Sequence, residues 1–201
     1  MQYEELIAQL RPALLKHKPR LLPDKQDTPA AVLLPLLSLP SQEAGVLFIK
    51  RVASPGPHSG QVACPGGRAE PGENSSETAW REAREEVGLL QAHAQLLGQL
   101  DDARTLAGYV VSAFVAAVDE THPPWRPDPR EIEEIFVIPW QVLADENSWS
   151  TLSWGVQGSE LSFPCLHWEQ KTLWGLTARF IKQLIALLDS SPAQAPETTD
   201  A

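Results

Sequence analysis

The chain has 201 residues, 43% hydrophobic and 21% charged, the composition of a globular protein long enough to bury a sizeable core. A formal net charge of −10 repels polyanions at long range and argues against a nucleic-acid partner held by phosphate neutralisation. Two cysteines far apart, Cys64 and Cys165, provide neither a disulfide framework nor a CxxC zinc site, so reduced thiols in a cytoplasmic protein are expected.

The first 20 residues carry Leu6, Leu10 and Leu14 at helical spacing and read as an amphipathic helix. They lack the apolar core and cleavage site of a signal peptide. No run approaches the ~18 apolar residues of a membrane span, so no membrane partner is expected. Residues 30–37 form a short apolar run, as for a strand buried on both faces. Pro35 sits inside it, at odds with a central strand. Residues 46–51 read as a second strand, making a β-hairpin with a long connection. Residues 61–64 suggest a short strand between two loops rich in Pro and Gly, the second running through PGGRAEPGE.

Residues 74–87 have strong helix character. Asn74 is placed to cap the helix, with Glu77 three residues on completing a capping box. Gly88 stands where a left-handed turn would end it. Strands are expected at 94–100, 109–118 and 131–138, with a helix starting at 139–144. Residues 147–158 show no clear pattern. Residues 173–188 read as an amphipathic helix with Leu176, Phe180, Leu184 and Leu187 on one side. The tail at 190–201 has nothing to bury and is expected to be disordered. These elements predict one α/β domain over residues 1–189, with mixed strands and flanking helices.

The helix at 74–87 carries the chemistry. On a wheel of 100° per residue, Ala79, Trp80, Ala83 and Val87 share one arc, and Glu82, Glu85 and Glu86 share the next. The first arc suits packing on a sheet. The second gathers three carboxylates whose repulsion grows as the dielectric falls. Mg²⁺ or Mn²⁺, which prefer oxygen ligands, would relieve it. Such ions also bridge carboxylates to phosphate oxygens, so a small anionic substrate is compatible with an acidic chain.

Gly67, Glu73 and the run Arg81-Glu82-Ala83-Arg84-Glu85-Glu86-Val87-Gly88-Leu89 resemble the signature of the Nudix hydrolase family. Ala83 stands where that pattern has a bulkier aliphatic residue. The resemblance implies an α/β/α sandwich with a mixed β-sheet and a loop–helix motif. It implies that Glu82, Glu85, Glu86 and the Gly67 carbonyl bind metal, and that Glu73 and Arg81 form the structural pair tying loop to helix. It also implies hydrolysis of a phosphoanhydride in a nucleoside diphosphate derivative, with Glu85 as the first choice of general base. Glu131, in a region that supplies a further ligand or base in many family members, is the second.

Upstream, Arg51 and the stretch His58-Ser59-Gly60-Gln61-Val62-Ala63-Cys64-Pro65-Gly66-Gly67 resemble the extra motif of the coenzyme A pyrophosphatase branch. This implies a coenzyme A-like nucleotide as small-molecule partner, with Arg51, His58, Gln61 and Arg68 as substrate-binding candidates. For His58 and Gln61, a structural role in the loop is the alternative. Cys64 stands where the branch has phenylalanine, and Gly56 where it usually has arginine. The alternative substrates are ADP-ribose, NADH or a dinucleoside polyphosphate. A Nudix-fold binding module without activity is the non-enzymatic alternative, set against the complete carboxylate set. Oligomeric state is not encoded in any pattern of the chain.

Overall fold

The computed structural model describes residues 1–23, 27–53, 60–119, 124–156 and 159–189. His58, Gly56 and the tail at 190–201 lie outside the described residues.

The elements in order are α1 (Tyr3–Lys16), β1 (Thr28–Ser38), β2 (Ala44–Arg51), β3 (Val62–Ala63), β4 (Gly66–Arg68), α2 (Ser75–Val87), β5 (Ala94–Gln99), β6 (Ala103–Arg104), β7 (Tyr109–Val118), β8 (Ile132–Pro139), α3 (Trp140–Ala144), β9 (Trp149–Val156), β10 (Ser159–Trp168), β11 (Lys171–Trp174) and α4 (Gly175–Asp189). The main sheet is mixed. β1 runs parallel to β7, and its other ladders are antiparallel.

Side chains alternate across this sheet. Ala31, Leu33, Leu47, Ile49, Phe114 and Ala116 face α2, where they meet Ala79, Ala83 and Val87. Leu34, Leu36, Val46, Phe48, Ala113 and Val115 face a second core with α1 and α4 residues such as Leu6, Leu10, Phe180 and Leu184. The result is the α/β/α sandwich with a mixed sheet. Among the described residues no helix is long and apolar enough to cross a membrane.

A fork in this sheet positions the chemistry. β1 and β2 pair only near their hairpin, from Leu36↔Val46 to Ser38↔Ala44. Beyond that they separate, and the segment carrying β3 and β4 fills the gap. β3 pairs with β2, and β4 pairs with β1. Pro35 is tolerated for the same reason. The Leu33 N–H donates to the Pro65 carbonyl, so Pro35, two residues on, turns its missing donor to the same edge. There the β4 ladder has ended and the β2 ladder has not begun.

Three expectations need correction. The PGGR stretch, read as loop, contains β4, because pairing with β1 overrides the turn preference of two glycines. Residues 147–158, left unassigned, contain β9, which with β10 and β11 makes a separate three-stranded antiparallel sheet. Residues 173–174 belong to β11, so the last helix starts at Gly175, and it buries Ala178, Phe180, Ile181, Leu184 and Ile185. Leu176 and Leu187 lie at the margin of that face.

The connection after α1 is tied to the sheet through two neighbouring aspartates. Asp101 Oδ1 lies 3.0 Å from His17 Nε2 and accepts the Arg20 N–H at 3.0 Å. Asp102, only 3% exposed, accepts the Leu22 N–H at 2.9 Å and the Ser112 hydroxyl at 2.8 Å. A buried carboxylate is stable when its oxygens are bonded in this way.

Candidate active site

α2 presents its carboxylates at a fixed height and rotation because both ends are capped. The Asn74 side chain accepts from the Glu77 N–H at 3.0 Å, and Glu77 accepts from the Asn74 N–H at 2.8 Å. Gly88 closes the helix at φ 76°, a conformation that glycine adopts without strain. Small Ala79 and Ala83 are completely buried, which lets the helix axis approach β1 closely.

Arg81 is the centre of the loop–helix connection. Its Nε donates to Glu73 Oε1 at 2.7 Å, and Nη2 donates to Glu73 Oε2 at 3.1 Å and to the Arg68 carbonyl at 2.8 Å. Nη1 reaches Glu82 Oε1 at 2.9 Å and Glu85 Oε2 at 3.1 Å. The Arg81 hydrogen bonds, joined by the Glu70 N–H, lower the Glu73 carboxyl to a pKa of about 2. The hydrogen bond to Glu73 holds the Arg81 guanidinium above its ordinary range. Arg81 thus bonds Glu73 and the Arg68 carbonyl on one side and Glu82 and Glu85 on the other.

Glu86 is the buried member of the acidic arc, with a side chain 3% exposed. Its Oε2 accepts the Gly66 N–H at 2.8 Å. Its Oε1 lies 2.6 Å from Arg51 Nη2 but has no partner with hydrogen-bond geometry. Burial raises the Glu86 carboxyl to a pKa of about 7, against the opposing charge of Arg51. Burial also raises Glu82, with Arg81 opposing. Glu85 is half exposed.

The glycine pair has a different division of labour from the one predicted. Leu33↔Pro65 and Pro29↔Ala69 are bonded partners, and the register sets Gly67 against Ala31. Alternation of the antiparallel ladder therefore makes Gly67↔Ala31 a hydrogen-bonded pair, and its carbonyl turns into the sheet. The carbonyl facing the acidic arc is that of Gly66, which accepts from Arg51 Nη2 at 2.8 Å. Gly67 matters for what it lacks, because a Cβ there would collide with the Glu82 carboxylate.

Arg51, expected at substrate, is drawn inward to Glu86 and Gly66, with Nη1 3.8 Å from Glu131 Oε2. Glu131 precedes the first residue of β8. A register shift between Lys50 and Arg51 interrupts the side-chain alternation of β8 at this point. Glu131 contacts Arg51, whereas Glu133 pairs with Lys50 at 2.7 Å. Glu134 pairs with Lys171. Gln61 contributes its carbonyl to the Arg51 N–H. Arg68 extends from β4 and stacks over the Tyr109 ring, 5.2 Å from its centroid, with a hydrogen bond to the Tyr109 hydroxyl. Tyr109 was not singled out by sequence, since a tyrosine opening a strand carries no special signal. A cavity of about 620 Å³ beside Trp80, Arg84, Leu89 and Leu90 lies across α2 from the carboxylates and shares only Glu73 and Arg81 with the cluster.

Among the described residues no three acidic, His or Cys side chains stand together as a ready ligand set; Arg81 joins Glu82 and Glu85, and Arg51 lies on Glu86. The donors nevertheless fit a hard divalent cation. Glu86 has an orphaned buried oxygen, the Gly66 carbonyl faces it, and Gly67 leaves room for the Glu82 carboxylate.

A family model described as NUDIX domain matches residues 27–154. The chain is 36% identical over 159 residues to the uncharacterized Nudix hydrolase NudL of Photorhabdus laumondii, covering 77% of this chain and 82% of that protein. It is 31% identical over 179 residues to NudL of Pectobacterium atrosepticum, covering 89% and 92%. Among solved structures, a MutT/nudix family protein from Enterococcus faecalis has a TM-score of 0.53 at 19% identity, covering 90% of this chain and 69% of that one, and shows the same fold. The chain thus belongs to the Nudix hydrolase family, whose enzymes cleave phosphoanhydride bonds and generally use divalent metal ions.

Proposed function

We propose that this enzyme is a cytoplasmic, Mg²⁺- or Mn²⁺-dependent pyrophosphohydrolase of coenzyme A or acyl-coenzyme A, yielding 3′,5′-ADP and the 4′-phosphopantetheine fragment. The observation that carries the hydrolytic site is the convergence of the orphaned Glu86 Oε1 and the Gly66 carbonyl on one guanidinium, beside Glu82 and Glu85. The substrate class rests on the resemblance of residues 51–67 to the coenzyme A branch.

Glu82, Glu85, Glu86 and the Gly66 carbonyl would hold the metal. When bound, it polarises the phosphorus and acidifies water. Glu85, half exposed at the edge of the cluster, would take the proton of the attacking water. Glu131, also exposed, is the second choice. Arg81 keeps Glu82 and Glu85 oriented, and Arg68 offers a guanidinium to an anionic group of the substrate. Cys64 is 2% exposed and its thiol is pushed up by burial. Its replacement of the usual phenylalanine is therefore a packing change that need not touch substrate.

The test is turnover of coenzyme A, acetyl-coenzyme A, ADP-ribose and NADH by the purified chain with Mg²⁺ or Mn²⁺, with products separated by chromatography. Release of 3′,5′-ADP ahead of all other cleavage supports the reading. Cleavage of ADP-ribose or NADH with coenzyme A left intact replaces it with the alternative substrate class.

A further inference from the structure

We propose that Arg51 and a divalent ion compete for Glu86 and the Gly66 carbonyl, so that metal binding releases the Arg51 side chain toward the substrate's phosphates. The inference rests on the metal-dependent reading above.

Glu86 has one oxygen available to a cation. Oε2 is committed to the Gly66 N–H at 2.8 Å. Oε1 has no hydrogen bond of good geometry, yet Arg51 Nη2 lies 2.6 Å away. The same Nη2 donates to the Gly66 carbonyl at 2.8 Å. One guanidinium nitrogen thus covers both inward-facing oxygens.

A small divalent ion binds such oxygens at ~2.1 Å. It would stand on the oxygen that Arg51 now covers, and two cations that close repel strongly where water is scarce. Metal entry and departure of Arg51 from Glu86 are therefore coupled. The coupling is reciprocal, so a group that holds Arg51 off Glu86 strengthens metal binding.

The movement is confined to the side chain. The Arg51 backbone N–H donates to the Gln61 carbonyl at 3.0 Å, and the Val52 N–H donates to the Glu131 carbonyl at 2.9 Å. The Arg51 side chain is 25% exposed, on the side of the 59% exposed Glu131. Once off Glu86, it presents a planar fork suited to phosphate oxygens. Lys50 faces elsewhere, paired with Glu133. The order that follows is metal first, nucleotide second, with Arg51 delivered to the anion only in the loaded site.

The test is Mn²⁺ binding, followed by the electron paramagnetic resonance of the free ion, with wild type, Arg51→Lys and Arg51→Met. Arg51→Met is expected to bind Mn²⁺ about fivefold or more tightly than wild type, and Arg51→Lys to lie between them. Equal or weaker binding by a folded Arg51→Met overturns the proposal. A second measurement needs no variant. Side-chain ¹⁵N spectra of wild type are expected to show Arg51 N–H groups exchanging faster with water after Mg²⁺ is added. Unchanged exchange, with Mg²⁺ shown bound by its displacement of Mn²⁺, overturns the role of Arg51 and leaves the metal site standing. Wild type that binds no Mn²⁺ overturns the metal reading and this proposal with it.

Discussion

Arg81 grips both carboxylate oxygens of Glu73, through Nε at 2.7 Å and Nη2 at 3.1 Å, while its Nη1 holds Glu82 and Glu85. One side chain therefore sets both the shape of the loop and the spacing of the helix carboxylates. Arg81→Lys keeps the charge and loses the fork. Its kcat is expected to fall about 100-fold, the scale of a small misplacement of catalytic groups. Steady-state kinetics beside a circular dichroism spectrum checks this. Wild-type turnover in the lysine variant would remove Arg81 from the positioning role.

Glu85→Gln and Glu86→Gln keep shape and remove the ionisable oxygen. Each is expected to lower kcat by roughly 10²–10⁴-fold, the range for loss of a general base or comparable charge. The thermal unfolding transition should remain cooperative in both. Near-normal turnover in both variants would refute the assignment of the acidic arc as the catalytic centre.

The two glycines should respond differently to alanine. At Gly67 the new Cβ would meet the Glu82 carboxylate, whereas at Gly66 it would meet the Ala31 carbonyl and Val32. A carboxylate can turn aside and a strand backbone cannot. Gly66→Ala is expected to destabilise by about 1–3 kcal/mol, as overpacking does. Gly67→Ala should lose activity with a smaller change in stability. Urea denaturation and kinetics on the same samples separate the two, and a reversed order would contradict the geometry.

Glu86 and Glu73 give stability opposite pH dependences. Glu86 has a folded pKa of about 7, above its ordinary 4.5. The folded state then holds the proton more tightly, so this group's contribution is full below 4.5 and is lost as pH rises through 7. Glu73 has a folded pKa of about 2. Its contribution is present above 4.5 and is lost as pH falls through 2. Without metal, Glu86→Gln is expected to flatten the wild-type decline in Tm between pH 5 and pH 8. An equally steep decline in the variant would rule Glu86 out as its source.

Asp102→Ala would strand the buried Ser112 hydroxyl and the half-buried Leu22 N–H. A cost of ~1–3 kcal/mol is expected, the range for one unsatisfied buried donor. Hydrogen exchange should also show residues 17–22 opening more readily. Unchanged protection there would mean that the Asp101 contacts alone secure the segment.

The sequence made α2 legible because its caps, apolar arc and acidic arc are all local. β1 and β2 were readable from their apolar runs. β4 was not, because Gly66 and Gly67 become strand only through β1, far away in sequence. The same distance hid the Gly66 carbonyl, since which carbonyl turns outward depends on ladder register. Arg51 was selected as a functional residue, yet its contact with Glu86 follows from the fork between β1 and β2, which no local pattern reports. β9 and β10 were hidden because they pair with each other and with β11, outside the main sheet.

The parallel pairing of β1 with β7 runs from Thr28↔Tyr109 to Leu36↔Ala117. The whole loop–helix motif lies in the chain that this pairing closes off. Contacts between such distant residues form late and slowly. The hairpin of β1 and β2 and the turns of α2 can appear early, but the β7 ladder that backs β1 forms only when the distant strand arrives. Competence for hydrolysis should therefore be gained in the last step of refolding, after most of the helical signal has returned.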